Sequence, residues 1–162
     1  MIRSILYATD LGLYASDVLQ HALSLSRAYQ ADLYVVHAVE PLGLFAHSVL
    51  QTYLDDRTLQ ALHTQGLSAV MSSVEARVLE GFQEELGDGV GVLPIRQVRV
   101  VQGDPPLVIL EEIQRLGVDL LVIGSHSDDS AFDTHLGRTA ARLVQLSGVP
   151  VYLVPMLQHR GI

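Results

Sequence analysis

The stretch GSHSDDSAFDTHLGRT, residues Gly124 to Thr139, sets two glycines around a polar and acidic interior. Gly124 and Gly137 flank a connection that leads into a helix expected to start near Gly137. The first N–H groups of a helix have no partner within it and sit at the positive end of the macrodipole, so such a start is a generic anion site. Glycine there also lets a phosphate approach the backbone closely. Asp128, Asp129 and Asp133 act in the opposite sense, because carboxylates repel a triphosphate unless a metal ion lies between them. The P-loop pattern G-x-x-x-x-G-K-[ST] is absent and the chain contains no Lys. Nor does the first strand-to-helix turn, TDLGLYAS, carry G-x-G-x-x-G. A spaced glycine pair by itself is commonplace turn usage.

The same residues have the types for other chemistry. His126, Asp128, Asp129, Asp133 and His135 are metal-ligating types, yet they lack the H-E-x-x-H spacing of a zinc helix, and a solvated polar loop has the same composition. No resident metal is expected; a Mg²⁺ or Mn²⁺ arriving with a nucleotide suits the aspartates better. Ser125, His126 and Asp128 have the types of a nucleophilic triad, but near-consecutive residues of one turn do not converge from separate elements, and no G-x-S-x-G elbow is present. Without a convincing nucleophile or base, efficient catalysis is not expected. Asp10 closes the apolar run SILYA. A carboxylate there either accepts hydrogen bonds from a ribose hydroxyl or adenine amine, or serves as a helix N-terminal acid favoured by the macrodipole.

These residues need elements to position them, and the hydrophobic pattern supplies a regular series. SILYA (Ser4 to Ala8), DLYVVHAVEP (Asp32 to Pro41), IRQVRVVQGD (Ile95 to Asp104), VDLLVIGS and VPVYLVP read as strands. Between the first two, Val18, Leu19, Ala22, Leu23 and Leu25 recur at helical spacing behind Ser16, the expected N-cap. Residues 49–86 hold no Pro and keep a three-and-four repeat, as one long helix or two would. PPLVILEEIQRLG opens with Pro at a first-turn position and closes on Gly117, and GRTAARLVQLSG is a helix ended by Gly148. Strands that are mostly short apolar runs point to a parallel sheet covered on both faces, and right-handed crossovers make it an open, doubly wound α/β sheet. Ligands of such sheets bind beyond the carboxyl ends of the strands, where TDLG, HAVEP, QGDPP and the 124–139 stretch are expected.

Composition narrows the classes further. The 162 residues are 49% hydrophobic, which suits one compact domain over 1–162 with a sizeable core. With 18 acidic against 10 basic residues the formal charge is −8, and every basic residue is an Arg. These arginines are scattered, so no basic stripe exists to neutralise a phosphate backbone and nucleic acid is not an expected partner. The absence of Cys excludes disulfides, thiolate nucleophiles and cysteine metal clusters. No apolar run approaches the roughly 20 residues of a membrane span, and the N-terminal run ends at Asp10, too early for a signal peptide; membrane insertion is not expected and the cytoplasm is the expected compartment.

Taken in register, the segments resemble the universal stress protein family over nearly the whole chain. ILYATDLGLYASDVLQHALSLSRAYQADLYVVHAVEP is similar to its opening strand, Asp, helix and second strand; VVQGDPPLVILEEIQRLGVDLLVIGSHS resembles its middle, and LGRTAARLVQLSGVPVYLVP its last helix and strand. The resemblance implies a Rossmann-like, five-stranded fold of the adenine nucleotide alpha hydrolase type, a homodimer paired through the last strand, and a regulatory module working on an unknown protein partner. It also implies a choice between members that bind ATP or AMP and members that do not. Nucleotide-binding members carry G-x-x-G, nine residues, then G-[ST]. Gly124 and Gly137 match the first and third glycines, while Ser127 stands at the second and Arg138 at the Ser or Thr position, with Thr139 one residue late. Ser127 adds a Cβ where phosphate should come close, whereas Arg138 replaces a hydroxyl by a cation able to pair with phosphate. Asp10 matches the family's adenosine contact, and Ala38 the residue whose backbone lines adenine. The adenosine half of the motif is kept and the phosphate half altered, which leaves AMP, weakly held ATP or no nucleotide as the implied alternatives, and slow ATP turnover as the enzymatic one.

Overall fold

The computed structural model describes residues 1–11, 14–39, 75–76, 78–84, 94–126 and 136–155. Their strands are β1 (Ser4–Ala8), β2 (Asp32–Val39), β3 (Ile95–Gln102), β4 (Leu120–Gly124) and β5 (Val151–Val154), and their helices α1 (Ala15–Tyr29), α2 (Pro105–Leu116) and α3 (Arg138–Leu146). The strands form one sheet in the order β3-β2-β1-β4-β5. All four pairings are parallel, with Ile5 opposite both Leu33 and Leu120, and Leu121 opposite Val151.

The apolar runs are explained by this arrangement. Successive strand side chains point to opposite faces, and here both faces are covered. Ile5 and Tyr7 of β1 and Leu120 and Val122 of β4 pack with Val18, Leu19, Ala22 and Leu23 of α1. Leu6, Leu121 and Ile123 pack on the other face with Val108, Ile109 and Ile113 of α2 and Ala140 and Leu143 of α3. Each side chain of that size contributes about 1.5–3 kcal/mol on full burial. Residues 75–76 and 78–84 are helical and bury Phe82 on the α1 face, its ring 6.4 Å from that of Tyr7. The rest of the long helical pattern over 49–86 lies outside the described residues.

Two expected caps are corrected. Helix α1 starts after Tyr14, one turn position before Ser16, and no side-chain cap closes it. Ser16 therefore sits inside the first turn, with Asp17 beside it as the acid favoured by the macrodipole. At the end of α3 the cap is Ser147 in an extended conformation, so Gly148 lies one residue beyond. The Ser147 hydroxyl donates to the Val149 carbonyl at 2.7 Å, making the turn without a left-handed glycine. Gly117, by contrast, does end α2 in the left-handed region at φ 62°.

Polar ties fix the sheet's periphery. Buried Glu112 of α2 accepts from Arg99 of β3 at 2.6 Å and from Arg115 at 2.9 Å, and the hydrogen bond to Glu112 raises the Arg115 guanidinium above its ordinary pKa. Along edge strand β3, the Val100 N–H donates to the Glu75 carboxylate at 2.8 Å. Before β4, Asp119 accepts from the Arg3 N–H at 2.8 Å and the Ser4 N–H at 3.2 Å, while its own N–H donates to the Ser4 carbonyl at 2.9 Å.

The Arg3 N–H bond, with those from Ser4, holds the Asp119 carboxyl below its ordinary pKa against a smaller opposing effect of desolvation. A depressed folded-state pKa makes this clip stabilising above the unfolded aspartate value, near 4, and the stabilisation is lost as pH falls through the folded value. Urea unfolding from pH 7 down to pH 2 should therefore show Asp119→Asn less stable than wild type at neutral pH, with the difference shrinking below about pH 4. A difference independent of pH would show that the charge of Asp119 plays no part.

Candidate functional site

Strands β1 and β4 are neighbours, yet the chain leaves them in opposite directions, through α1 to β2 on one side and through α3 to β5 on the other. Among the described residues no connection crosses the carboxyl ends of this pair, which is the switch point where open α/β sheets hold ligands. A cavity of about 210 Å³ opens there, lined by the ends of β1, β4 and β5 and the starts of α1, α2 and α3.

Five of the seven residues that the sequence nominates line this cavity: Asp10, Ala38, Gly124, Gly137 and Thr139. Arg138 is exposed at the first position of α3 and is not among the lining residues. Ser127 lies outside the described residues, as do Asp128, Asp129, Asp133 and His135. Among the described residues no group of three or more His, Asp or Glu side chains is placed to hold a metal ion.

The β1 end is built by backbone bonds rather than side-chain bulk. The Thr9 N–H donates to the Val36 carbonyl at 2.9 Å, and the Thr9 hydroxyl oxygen accepts from the Leu11 N–H at 3.0 Å. Leu11 takes φ 58°, an uncommon conformation for a residue with a branched side chain. His37 Nδ1 lies 2.8 Å from the Thr9 carbonyl. A carbonyl only accepts, so Nδ1 carries the proton and the tautomer follows. This turn presents Asp10, which is exposed.

The β4 end differs. Buried Ser125 donates its N–H to the Val154 carbonyl at 2.9 Å and accepts from the Gly137 N–H at 3.0 Å. The glycine N–H that the sequence offers to an anion is thus engaged by the protein itself. The Ser125 hydroxyl lies 2.8 Å from His126 Nδ1, and both residues line the cavity. Gly124 also packs closely: a Cβ there would stand 3.3 Å from Val18 Cγ2 of α1, which would have to give by a few tenths of an ångström.

Sequence reasoning did not nominate Tyr14, Asp17, Ile109 and Ile123, which also line the cavity. Asp17 was discoverable as the acid of the first helical turn, on the side that faces TDLG. The apolar members look like ordinary core positions in sequence, and only the switch point turns them into a wall.

Residues 1–155 match the profile of the universal stress protein family. The chain belongs to that family. This universal stress protein is 24% identical over 157 residues to universal stress protein A of Escherichia coli K12, covering 95% of this chain and 94% of the relative. It is 24% identical over 159 residues to universal stress protein YxiE of Bacillus subtilis, covering 95% and 99%. Among solved structures it resembles MJ0577, a protein of Methanocaldococcus jannaschii, with TM-score 0.65 and 21% identity over 98% of this chain and 99% of that one. It also resembles a universal stress protein solved in complex with cAMP, with TM-score 0.57 and 18% identity over 95% and 97%. The Rossmann-like α/β fold expected from the sequence is shared with these proteins.

Pro105 reaches the cavity through a turn that depends on Gly103. Its φ is 154°, its N–H donates to the Val39 carbonyl at 2.9 Å, and an added Cβ would meet Val108 Cγ2 at 2.7 Å. Gly103→Ala should cost about 1–3 kcal/mol, lowering the Tm by roughly 2–12 °C for a chain of this length. Pairing it with Val108→Ala should recover part of the loss in a double-mutant cycle. Strict additivity of the two substitutions would mean that backbone strain alone, and not the clash, sets the cost.

Proposed function

We propose that this universal stress protein is a dimeric regulatory module whose switch-point cavity binds an adenine nucleotide of the AMP or ATP class. The observation that carries the reading is the convergence of Asp10, Ala38, Gly124, Gly137 and Thr139 on one cavity whose remaining wall is largely apolar. An apolar slot with a few polar groups at its rim suits a flat base and a sugar. Asp10 accepts from the ribose or the adenine amine, Ala38 lies along the base, and Thr139 and the start of α3 face the phosphate. Mg²⁺ or Mn²⁺ enters only with a bound nucleotide. That a structural neighbour was solved in complex with cAMP supports an adenine ligand for this fold. ATP turnover has less to support it, since Arg138, the cation it would use at the transferring phosphate, stands off the described lining.

Dimerisation runs through β5. It is the outer strand of the sheet beside β4, and an apolar edge strand invites pairing unless something covers it. A second copy in two-fold relation closes that edge in both subunits. A protein partner of the dimer, and a cytoplasmic setting, complete the reading; among the described residues no helix is long and apolar enough to cross a membrane.

Isothermal titration with AMP and ATP, with and without Mg²⁺, tests the ligand. Heat of binding is expected, and Asp10→Ala should weaken it about tenfold, the loss of a charge-assisted hydrogen bond. Absence of heat at millimolar ligand would refute the reading, while unchanged affinity in Asp10→Ala would refute only the placement of adenosine. Sedimentation at micromolar concentration tests the assembly: wild type is expected at twice its monomer mass and Tyr152→Lys at monomer mass with unaltered circular dichroism. A wild-type monomer would rule out the β5 dimer.

A further inference from the structure

The cavity's electrostatics separate the members of that ligand class. Asp10 from the end of β1 and Asp17 from the first turn of α1 both line it, while no Arg is among its described lining and the chain has no Lys. The other ionisable lining groups are His126, Tyr7 and Tyr14. Arg138 is exposed outside the lining, and Arg142, one turn on, lies 4.0 Å from Asp104. The helix start is weakened as an anion site as well, because the Gly137 N–H is engaged by the Ser125 carbonyl at 3.0 Å.

A polyphosphate site normally sets Lys, Arg or a clear run of helix N–H groups against the accumulating charge. Here the polar side chains beside the start of α3 are hydroxyls and one imidazole, Ser125, Thr139 and His126. We infer that the cavity selects adenine ligands that carry little phosphate: adenosine and AMP are held, and without a divalent cation ADP and ATP are progressively disfavoured. This selectivity rests on the adenine-nucleotide reading and deepens it. Each pair of like charges about 10 Å apart repels weakly through water, but every added phosphate meets both Asp10 and Asp17, and the sum reaches the order of tenfold between AMP and ATP. The same repulsion is screened by salt, since the Debye length falls from about 10 Å at 0.1 M to about 3 Å at 1 M.

The test is titration calorimetry of the full chain with adenosine, AMP, ADP and ATP at pH 8 in EDTA at low salt. ATP is expected at least tenfold weaker than AMP, with ADP between them. The gap should narrow about threefold in Asp17→Asn, and also in 0.5 M NaCl. ATP binding as tightly as AMP in metal-free buffer would overturn the selectivity while leaving an adenine site in place. A gap that neither Asp17→Asn nor salt alters would overturn its electrostatic cause. If no member of the series binds, the selectivity falls together with the adenine reading itself.

Discussion

The pairing of β1 with β4 is the constraint on which the rest depends. Because the two strands lie side by side while their connections depart to opposite sides, their carboxyl ends frame a gap that none of the described residues crosses. The amino ends of the same pair are clipped by Asp119 to the backbone of Arg3 and Ser4. Both faces of the pair are sealed, by α1 on one side and by α2 and α3 on the other. The gap is therefore held open by a rigid frame rather than by its own contents, which is the condition for a preformed ligand cavity.

Much of this frame was legible in the sequence. The Ile5–Tyr7 and Leu120–Ile123 runs are apolar and buried at every position because both faces of a central strand are covered, and that alone separates them from half-exposed alternating strands. Gly117 and the Pro105–Pro106 pair marked both ends of α2 correctly, since each has a backbone preference that tertiary packing had no reason to overrule. Ser16 and Gly148 failed for the opposite reason. A serine near a helix start and a glycine near its end are favourable caps only if the chain enters and leaves at that residue, and here the entry is set by the Thr9–Leu11 turn and the exit by Ser147.

The site was legible in part, along the same division. Residues whose type is unusual for their place, such as Asp10 at the end of a buried strand or paired glycines about a connection, stood out. Those whose type is ordinary did not: Ile109 and Ile123 belong to the core on one side and to the cavity on the other. The engagement of the Gly137 N–H by Ser125 was beyond sequence reasoning, because it depends on where β4 ends relative to the start of α3. That bond ties the N-cap of α3 to the end of β4 and takes one N–H of the helix start away from any ligand.

The Thr9–Leu11 turn shows how Asp10 is held in place. A leucine at φ 58° costs on the order of 1–2 kcal/mol relative to an extended or helical backbone. Three hydrogen bonds oppose that cost: Thr9 N–H to Val36, Leu11 N–H to the Thr9 hydroxyl, and His37 Nδ1–H to the Thr9 carbonyl. At about 0.5–1.5 kcal/mol net each, their sum exceeds the strain, so the turn is stable only while most of them are made. Two of the three reach back to β2, through Val36 and His37. The orientation of the carboxylate at the cavity is thereby tied to the pairing of β1 with β2, and His37, which does not line the cavity, acts on it as a positioning residue.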